Sequence, residues 1–266
     1  MNQPTLKVRE FGLINWVGFK TLYVREVQRF MNVYLQTIIA PVITTLLFFA
    51  IFSLALGGAE REVWGMSFMT FLAPGLLMMT MVQNAFANPS SSLVISKIQG
   101  NIVDVLMPPL SNLELSLGWL LGSVTRGFCI GVLGWLALNI FYPVPLEHPL
   151  LTFLFGFLGC TMLSLLGIVA GIWADKFDHI ASVTNFVVTP LTFLSGTFYS
   201  IDTLPETWEV LAHYNPFFYM IDGFRFGLIG QSDSDPYVGL IWLLASNAVL
   251  WFFMLFILKK GYKIKS

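Results

Sequence analysis

Charged side chains are scarce in this chain: they form 11% of its 266 residues, 14 Lys and Arg against 15 Asp and Glu, while 56% of residues are hydrophobic. So near-neutral a balance lacks the basic footprint that nucleic-acid-binding proteins need, and no nucleic-acid partner is expected. Cysteine and histidine are rarer still. Cys129 and Cys160 fall inside apolar runs, where a thiol serves as a small packing residue, and His148, His179 and His213 are spaced too widely to form a ligand set. No metal or cofactor site is therefore expected. There is no Gly-Lys dipeptide either, which excludes a phosphate-cradling Walker loop. The Leu194-Ser195-Gly196 triplet superficially matches a nucleotide-binding signature, but it closes an apolar run and lacks the remaining residues. The first thirty residues carry Lys7, Arg9, Lys20, Arg25 and Arg29 with no compact apolar stretch or small-residue cleavage site, so a signal peptide is not expected.

What the chain does have is long apolar runs. They fall at Tyr34–Leu56, Met66–Phe86, Leu113–Phe141, Leu150–Trp173, Ala181–Tyr199 and Val238–Leu258. A spanning helix needs roughly 20 apolar residues, so these predict an all-α polytopic membrane protein with six transmembrane helices. Lys97 and Lys176 in the second and fourth connections, and Lys259, Lys260, Lys263 and Lys265 in the tail, share the side of the basic N-terminus; the opposite loops hold only Arg61 and Arg225. Because Lys and Arg are retained inside, both termini are expected to be cytoplasmic and the connection holding Asp233 external. The chain thus divides into a cytoplasmic N-terminal region (1–33), a transmembrane domain (34–258) and a basic tail (259–266).

The segment Leu194–Gly230 is apolar without being long enough to cross. Phe217–Ile221 and Phe224–Ile229 are interrupted by Asn215-Pro216, Asp222-Gly223 and Arg225. A seventh span here would put the lysine tail on the wrong side, so the pattern predicts a re-entrant helical hairpin before the last span, over about 204–230. The alternative is an amphipathic loop on the external surface. Asp222 and Arg225, three residues apart, can pair on a short helix. Arg126 lies about 13 residues into the third run, roughly 20 Å along a helix, too deep to reach either surface. It must face inward, toward Asn84, Asn139 or a backbone carbonyl, in a structural or a substrate-facing role.

Four further patterns point to function. Over Phe11–Phe30, Trp16, Phe19, Tyr23, Val27 and Phe30 recur at helical steps while Lys20, Arg25, Glu26 and Arg29 fall largely elsewhere, which predicts an amphipathic interfacial helix attracted to anionic lipid. In the long second connection, Asn88–Asn112, a short helix over about 95–107 places Ile98, Ile102, Val105 and Leu106 on one side with Lys97, Gln99, Asn101 and Asp104 around it, ending at Pro108-Pro109. Such a helix suits a groove in another protein, or is an interfacial linker. In the third span, Gly118, Gly122, Gly127 and Gly131 form small-xxx-small pairs for close helix approach. Finally, Thr184, Asn185, Thr189, Thr192 and Ser195 with Pro190 make a polar seam in the fifth span, and Gln36, Thr37, Thr44 and Thr45 with Pro41 a sparser one in the first. Either is a candidate pathway or subunit-contact lining, or a set of hydroxyls bonded to the preceding turn.

These residues resemble the permease subunits of ABC-2 type transporters, in the YadH-like subgroup. The resemblance covers nearly the whole chain and is most specific at LSGTFYSIDTLPETWEVLAHYNPFFYMIDGFRFGLIG, where Gly196, Leu204-Pro205, Asn215-Pro216 and Arg225 hold the family's positions, and at DVLMPPLSNLELSLGWLLG. The family usually has Ser-Pro where Pro108-Pro109 stand, and often an acidic residue near Gly100 where this chain has Asn101. What the resemblance implies is an exporter half in the bacterial inner membrane, paired with a second copy of itself, in the lipid bilayer, and with a separate ATP-binding subunit that carries ATP and Mg. The chain itself would be no enzyme. Ile98–Leu106 would couple to the ATPase, Thr37–Thr45 and Thr184–Ser195 would border the path, and Asn215, Pro216, Asp222 and Arg225 would form the external gate. The rival readings are a passive channel or scaffold without an ATPase, and an intramembrane enzyme. The enzyme would need convergent acid or base residues in the spans, where Arg126 is the one charge away from the ends of the runs.

Overall fold

The computed structural model describes residues 14–55 and 62–263. Phe11–Leu13 of the expected interfacial helix, the end of the first run and the last of the tail lysines lie outside them. Helix α1 (Trp16–Met31) leads through a widened i→i+5 turn (Leu35–Ile39) into α2 (Ala40–Ala55). A two-stranded hairpin, Glu62–Val63 with Met66–Ser67, turns at Trp64 and Gly65, both at positive φ. Then follow α3 (Phe68–Ile98), the short α4 (Ile102–Leu106), α5 (Asn112–Phe141) and α6 (Pro149–Trp173). After them come α7 (Phe177–Val183), a second widened turn (Thr184–Val188), α8 (Thr189–Phe193), α9 (Glu206–His213), α10 (Pro216–Ile229) and α11 (Pro236–Lys260).

Five of these helices are long and apolar enough to cross a membrane: Leu35–Ala55, Phe68–Ile98, Asn112–Phe141, Pro149–Trp173 and Pro236–Lys260. The expected fifth of six, Ala181–Tyr199, is a shorter helical rod, 177–193, in which two short α-helices flank the second widened turn, and it ends at Phe193. Proline explains the widened turns. Pro190 follows the widened turn by two residues, and Pro41 stands in the same place after the first. A proline has no N–H for the carbonyl four residues back, so the ladder shifts register: Ala40 donates to Leu35 and Thr189 to Thr184.

Helix α3 is the centre of the bundle. In its most apolar stretch 78% is buried, against 17% for α11 on the outside. It is also twelve residues longer than the apolar run predicts, so Asn88–Ile98 is helix and not loop. The polar residues there do not end it because their hydroxyls bond one turn back: Ser90 donates to the Phe86 carbonyl (2.8 Å) and Ser91 to that of Ala87 (2.6 Å). The helix stops at Gly100, whose φ of +73° is the left-handed cap that favours glycine.

Helix α1 packs on protein where a lipid surface is expected. Its buried side chains are Leu22, Glu26 and Phe30. Glycine positions in α5 admit them in parallel register: a Cβ on Gly118 would stand 2.7 Å from Leu22 Cδ2, and one on Gly122 2.6 Å from Glu26 Cβ. Further along α5, Gly127 accommodates Cys160 and Gly131 accommodates Met81, as the small-residue spacing implies. Three of the four charges expected on its polar face, Arg25, Glu26 and Arg29, strap α1 to α3, and Lys20 is exposed. Arg29 Nη2 donates to the Asn88 backbone oxygen (2.6 Å) and Oδ1 (2.8 Å), Arg25 reaches Ser96 Oγ (3.5 Å), and Ser92 Oγ donates to Glu26 Oε1 (2.7 Å).

Candidate functional site

Both polar seams converge on one stretch of α3. Thr45 Oγ1 and Thr80 Oγ1 lie 2.7 Å apart, and Gln83 Nε2 donates to Thr192 Oγ1 (3.2 Å). Between α2 and α3 opens a cleft of about 300 Å³ lined by Gln36, Pro41, Thr44, Phe48, Thr80, Gln83 and Asn84, among others. Not every seam residue reaches it. Thr37 donates to the carbonyls of Phe30 (2.6 Å) and Val33 (3.0 Å), Thr184 to that of Ile180 (2.9 Å), and Ser195 to that of Leu191. Asn185 is exposed and Thr189 half-buried, neither lining the cleft. Thr80 and Gln83 escaped the sequence reading because they sit in the run LLMMTMVQNAF, where hydropathy hides them; the signal was their spacing of three, with Asn84 beside them.

Arg126 finds the first of its expected partners. Its Nη2 donates to Asn84 Oδ1 (2.7 Å), and Asn84 Nδ2 donates to its own helix at the Thr80 carbonyl (3.0 Å). Asn139 is engaged elsewhere, accepting from the Val144 N–H (3.1 Å).

At the far end of the bundle, α9 is largely exposed and α10 largely buried against α3, α6 and α11. Asn215 caps α10, accepting from the Phe217 N–H (3.0 Å), while its Nδ2 donates to Ser195 Oγ (3.0 Å); Pro216 takes the first helical position, where a missing N–H costs nothing. Asp222 and Arg225 do approach, at 3.7 Å, but not as an isolated pair. Arg225 Nη1 is also 3.9 Å from Asp233 Oδ2, its Nη2 donates to the Gly196 carbonyl (2.5 Å), and its guanidinium lies 3.9 Å over the Phe71 ring. Asp222 accepts from the Asp233 N–H (2.8 Å), the Ser234 N–H (3.0 Å) and Ser234 Oγ (2.8 Å); Asp233 accepts from Ser200 Oγ and the Ile201 N–H. All three charged side chains are buried. Burial pushes the Asp233 carboxyl up to about 6. Asp233, expected as an external loop residue, is thus a buried partner that sequence spacing does not connect to Arg225.

The opposite end gathers the N-terminal segment, the second and fourth connections and the tail. Asn15 N–H donates to Glu114 Oε1 (2.5 Å) at the start of α5, and Lys97 Nζ donates to the carbonyls of Ile172 and Ala174. Lys263 pairs with Asp175 at 2.7 Å, holding that carboxyl below its ordinary range. Here the residues of the expected coupling surface divide between buried and exposed. Lys97 is committed to the end of α6, and Val105, at 6% exposure, and the half-buried Leu106 pack into the core, because α4 turns that side onto the bundle. Gln99 and Asp104 are exposed and Ile102 is half-buried; Ile98, Val103 and Met107 are the apolar side chains left outside.

A family model described as ABC-2 type transporter matches residues 17–229. The chain is 39% identical over 218 residues to the inner membrane transport permease YadH of Escherichia coli strain K12, covering 82% of this chain and 85% of that protein. It is 24% identical to nodulation protein J of Rhizobium leguminosarum bv. viciae, over 83% of this chain and 84% of the relative. Nodulation protein J of Neorhizobium galegae is 21% identical, with 88% and 89% covered.

Proposed function

Because the chain belongs to the ABC-2 type transporter family, and so is the membrane subunit of an ATP-binding cassette transporter, we propose that it exports its substrate with ATP hydrolysed on a separate subunit. The observation that carries this reading is α4. A short helix is held at the end of the central helix α3 by a buried Val105, while Ile98, Val103, Asp104 and Met107 stay outside. An apolar rim on a rigid arm is what a groove in a soluble partner would grip, and α3 carries its movement into the bundle.

On this reading the rod 177–193 is a sixth crossing, α9 and α10 form the re-entrant external closure, and both termini are cytoplasmic. The rod is 17 residues long, about 26 Å at 1.5 Å per residue, close to a hydrocarbon core of about 30 Å. The polar cleft then serves as the path. Gln36, Thr44 and Asn185 are exposed on otherwise apolar surfaces, where facing lipid is costly, which supports a second copy of the chain closing the open side. ATP and Mg remain with the partner subunit.

Reconstitution tests the proposal. Vesicles holding the chain alone should neither hydrolyse ATP nor leak small solutes, and adding an ATP-binding cassette subunit that co-purifies with it should confer hydrolysis. Leak through the lone chain, unchanged by that subunit, would make the protein a channel instead.

A further inference from the structure

We propose that Arg126 is an anion-binding group at the back of the polar cleft, and that the molecule the cleft receives presents a phosphate or carboxylate headgroup. The proposal rests on the permease reading and names the chemistry of its substrate or of a lipid bound in the same place.

Three buried or half-buried arginines show how this fold treats a guanidinium. Arg225 faces two carboxylates, Asp222 and Asp233, and Arg29 pairs with Glu26 at 3.4 Å while also bonding Asn88. Arg126 has no carboxylate within salt-bridge distance among the described residues. It is 8% exposed, its Nε has no hydrogen-bond partner, and its one bond is to the neutral Asn84. The charged neighbour that bears on it is another cation, Arg29, whose own carboxylate Glu26 packs one turn away against Gly122. Arg29 therefore has a carboxylate partner and Arg126 has none within salt-bridge distance among the described residues, in a stretch where an unpaired charge is most costly. A merely structural arginine at this depth would gain from an aspartate at position 84, and the chain has asparagine.

Asn84 links this charge to the cleft. It lines the cleft with Gln36, Thr44, Thr80 and Gln83, and its side chain is fixed from both ends, by Arg126 and by the Thr80 carbonyl. An anion entering beside Asn84 would meet the polar side chains of the wall first and, behind them, a guanidinium whose Nε is without a partner, a donor group suited to phosphate or carboxylate.

The test uses the full chain in phosphatidylcholine nanodiscs, with no ATPase present, so that a failure of coupling cannot mimic a failure of this site. Binding of dodecyl phosphate, inorganic phosphate and dodecylphosphocholine is measured by calorimetry for the parent protein, Arg126→Gln, Arg126→Lys and Asn84→Asp. Losing a charge-assisted hydrogen bond corresponds to about ten- to a hundredfold in affinity. Dodecyl phosphate should bind the parent, weaken by that factor in Arg126→Gln and Asn84→Asp, and be partly retained in Arg126→Lys; dodecylphosphocholine should bind weakly throughout. Inorganic phosphate binding as well would mark a free anionic solute as the ligand, and its failure to bind an amphiphile. Asn84→Asp supplies a counterion and so keeps the fold if Arg126→Gln does not. Unchanged binding in Asn84→Asp, equal binding of the zwitterion, or no anion binding to the parent would overturn the proposal.

Discussion

Arg225 is wholly buried, and its removal would leave Asp222 and Asp233 facing each other without a cation. Breaking such a cluster from one side costs about 3–5 kcal/mol, so Arg225→Met should lower the unfolding temperature in detergent sharply. Adding Asp222→Asn and Asp233→Asn should recover much of the loss, as the triple variant buries no lone charge. The pH dependence has a definite sign. Asp233 titrates near 6 in the folded protein, above its ordinary value of 3.8, so the folded state holds the extra proton and this group's contribution to stability falls as pH rises from about 4 to about 6. Thermal unfolding of the parent and Asp233→Asn at pH 4.5 and 7 should show the parent losing more on going to neutral pH; parallel curves would contradict it. At this scale the sequence was half legible. The Asp222 and Arg225 spacing predicts their approach, but Asp233 joins them through the turn after Gly230, and no period connects a helix to a loop folded back onto it. Arg126 was more legible, because depth alone forbids it lipid and leaves few partners.

At the scale of elements, the glycines of α5 and the prolines after the widened turns do different work. A methyl on Gly122 would collide with Glu26 Cβ at 2.6 Å, a backbone-near atom with little room to yield. Gly122→Ala should therefore push α1 away and destabilise the protein by about 1–3 kcal/mol, measurable as a lowered unfolding midpoint. Pro41 and Pro190 act oppositely. Interior helical proline is unfavourable by about 3 kcal/mol relative to alanine, so Pro41→Ala or Pro190→Ala should hold or raise stability. If the shifted ladder lets the two seams move, transport should fall in these variants while the unfolding temperature does not; unimpaired transport would assign the turns a packing role. The sequence shows both prolines and all four glycines. It does not show that the glycines receive an amphipathic helix, since Trp16, at 65% exposure, looks as apolar as Leu22, at 5%, and only tertiary packing tells them apart. The same limit extended α3: hydropathy ends at Phe86, yet serine hydroxyls bonding backwards carry the helix to Ile98.

For the whole molecule, the basic connections predict one shared face, and Lys97, Asp175 and Lys263 do meet around the end of α6. That end also presents α4, so any partner acting on the bundle from there works on the central helix through Gly100. The buried charge cluster closes the opposite end, and the polar cleft lies between them against the middle of α3. The central claim is that this protein is driven by a separate ATPase gripping the outer side of α4. It is tested most directly by co-purifying the ATP-binding subunit with the parent chain, with Val103→Glu plus Met107→Glu, and with Val105→Ala as a core control, each checked for its unfolding temperature. The parent and the control should retain the subunit, and the double variant should lose it while remaining as thermostable as the parent. Full retention by a folded double variant would contradict the account.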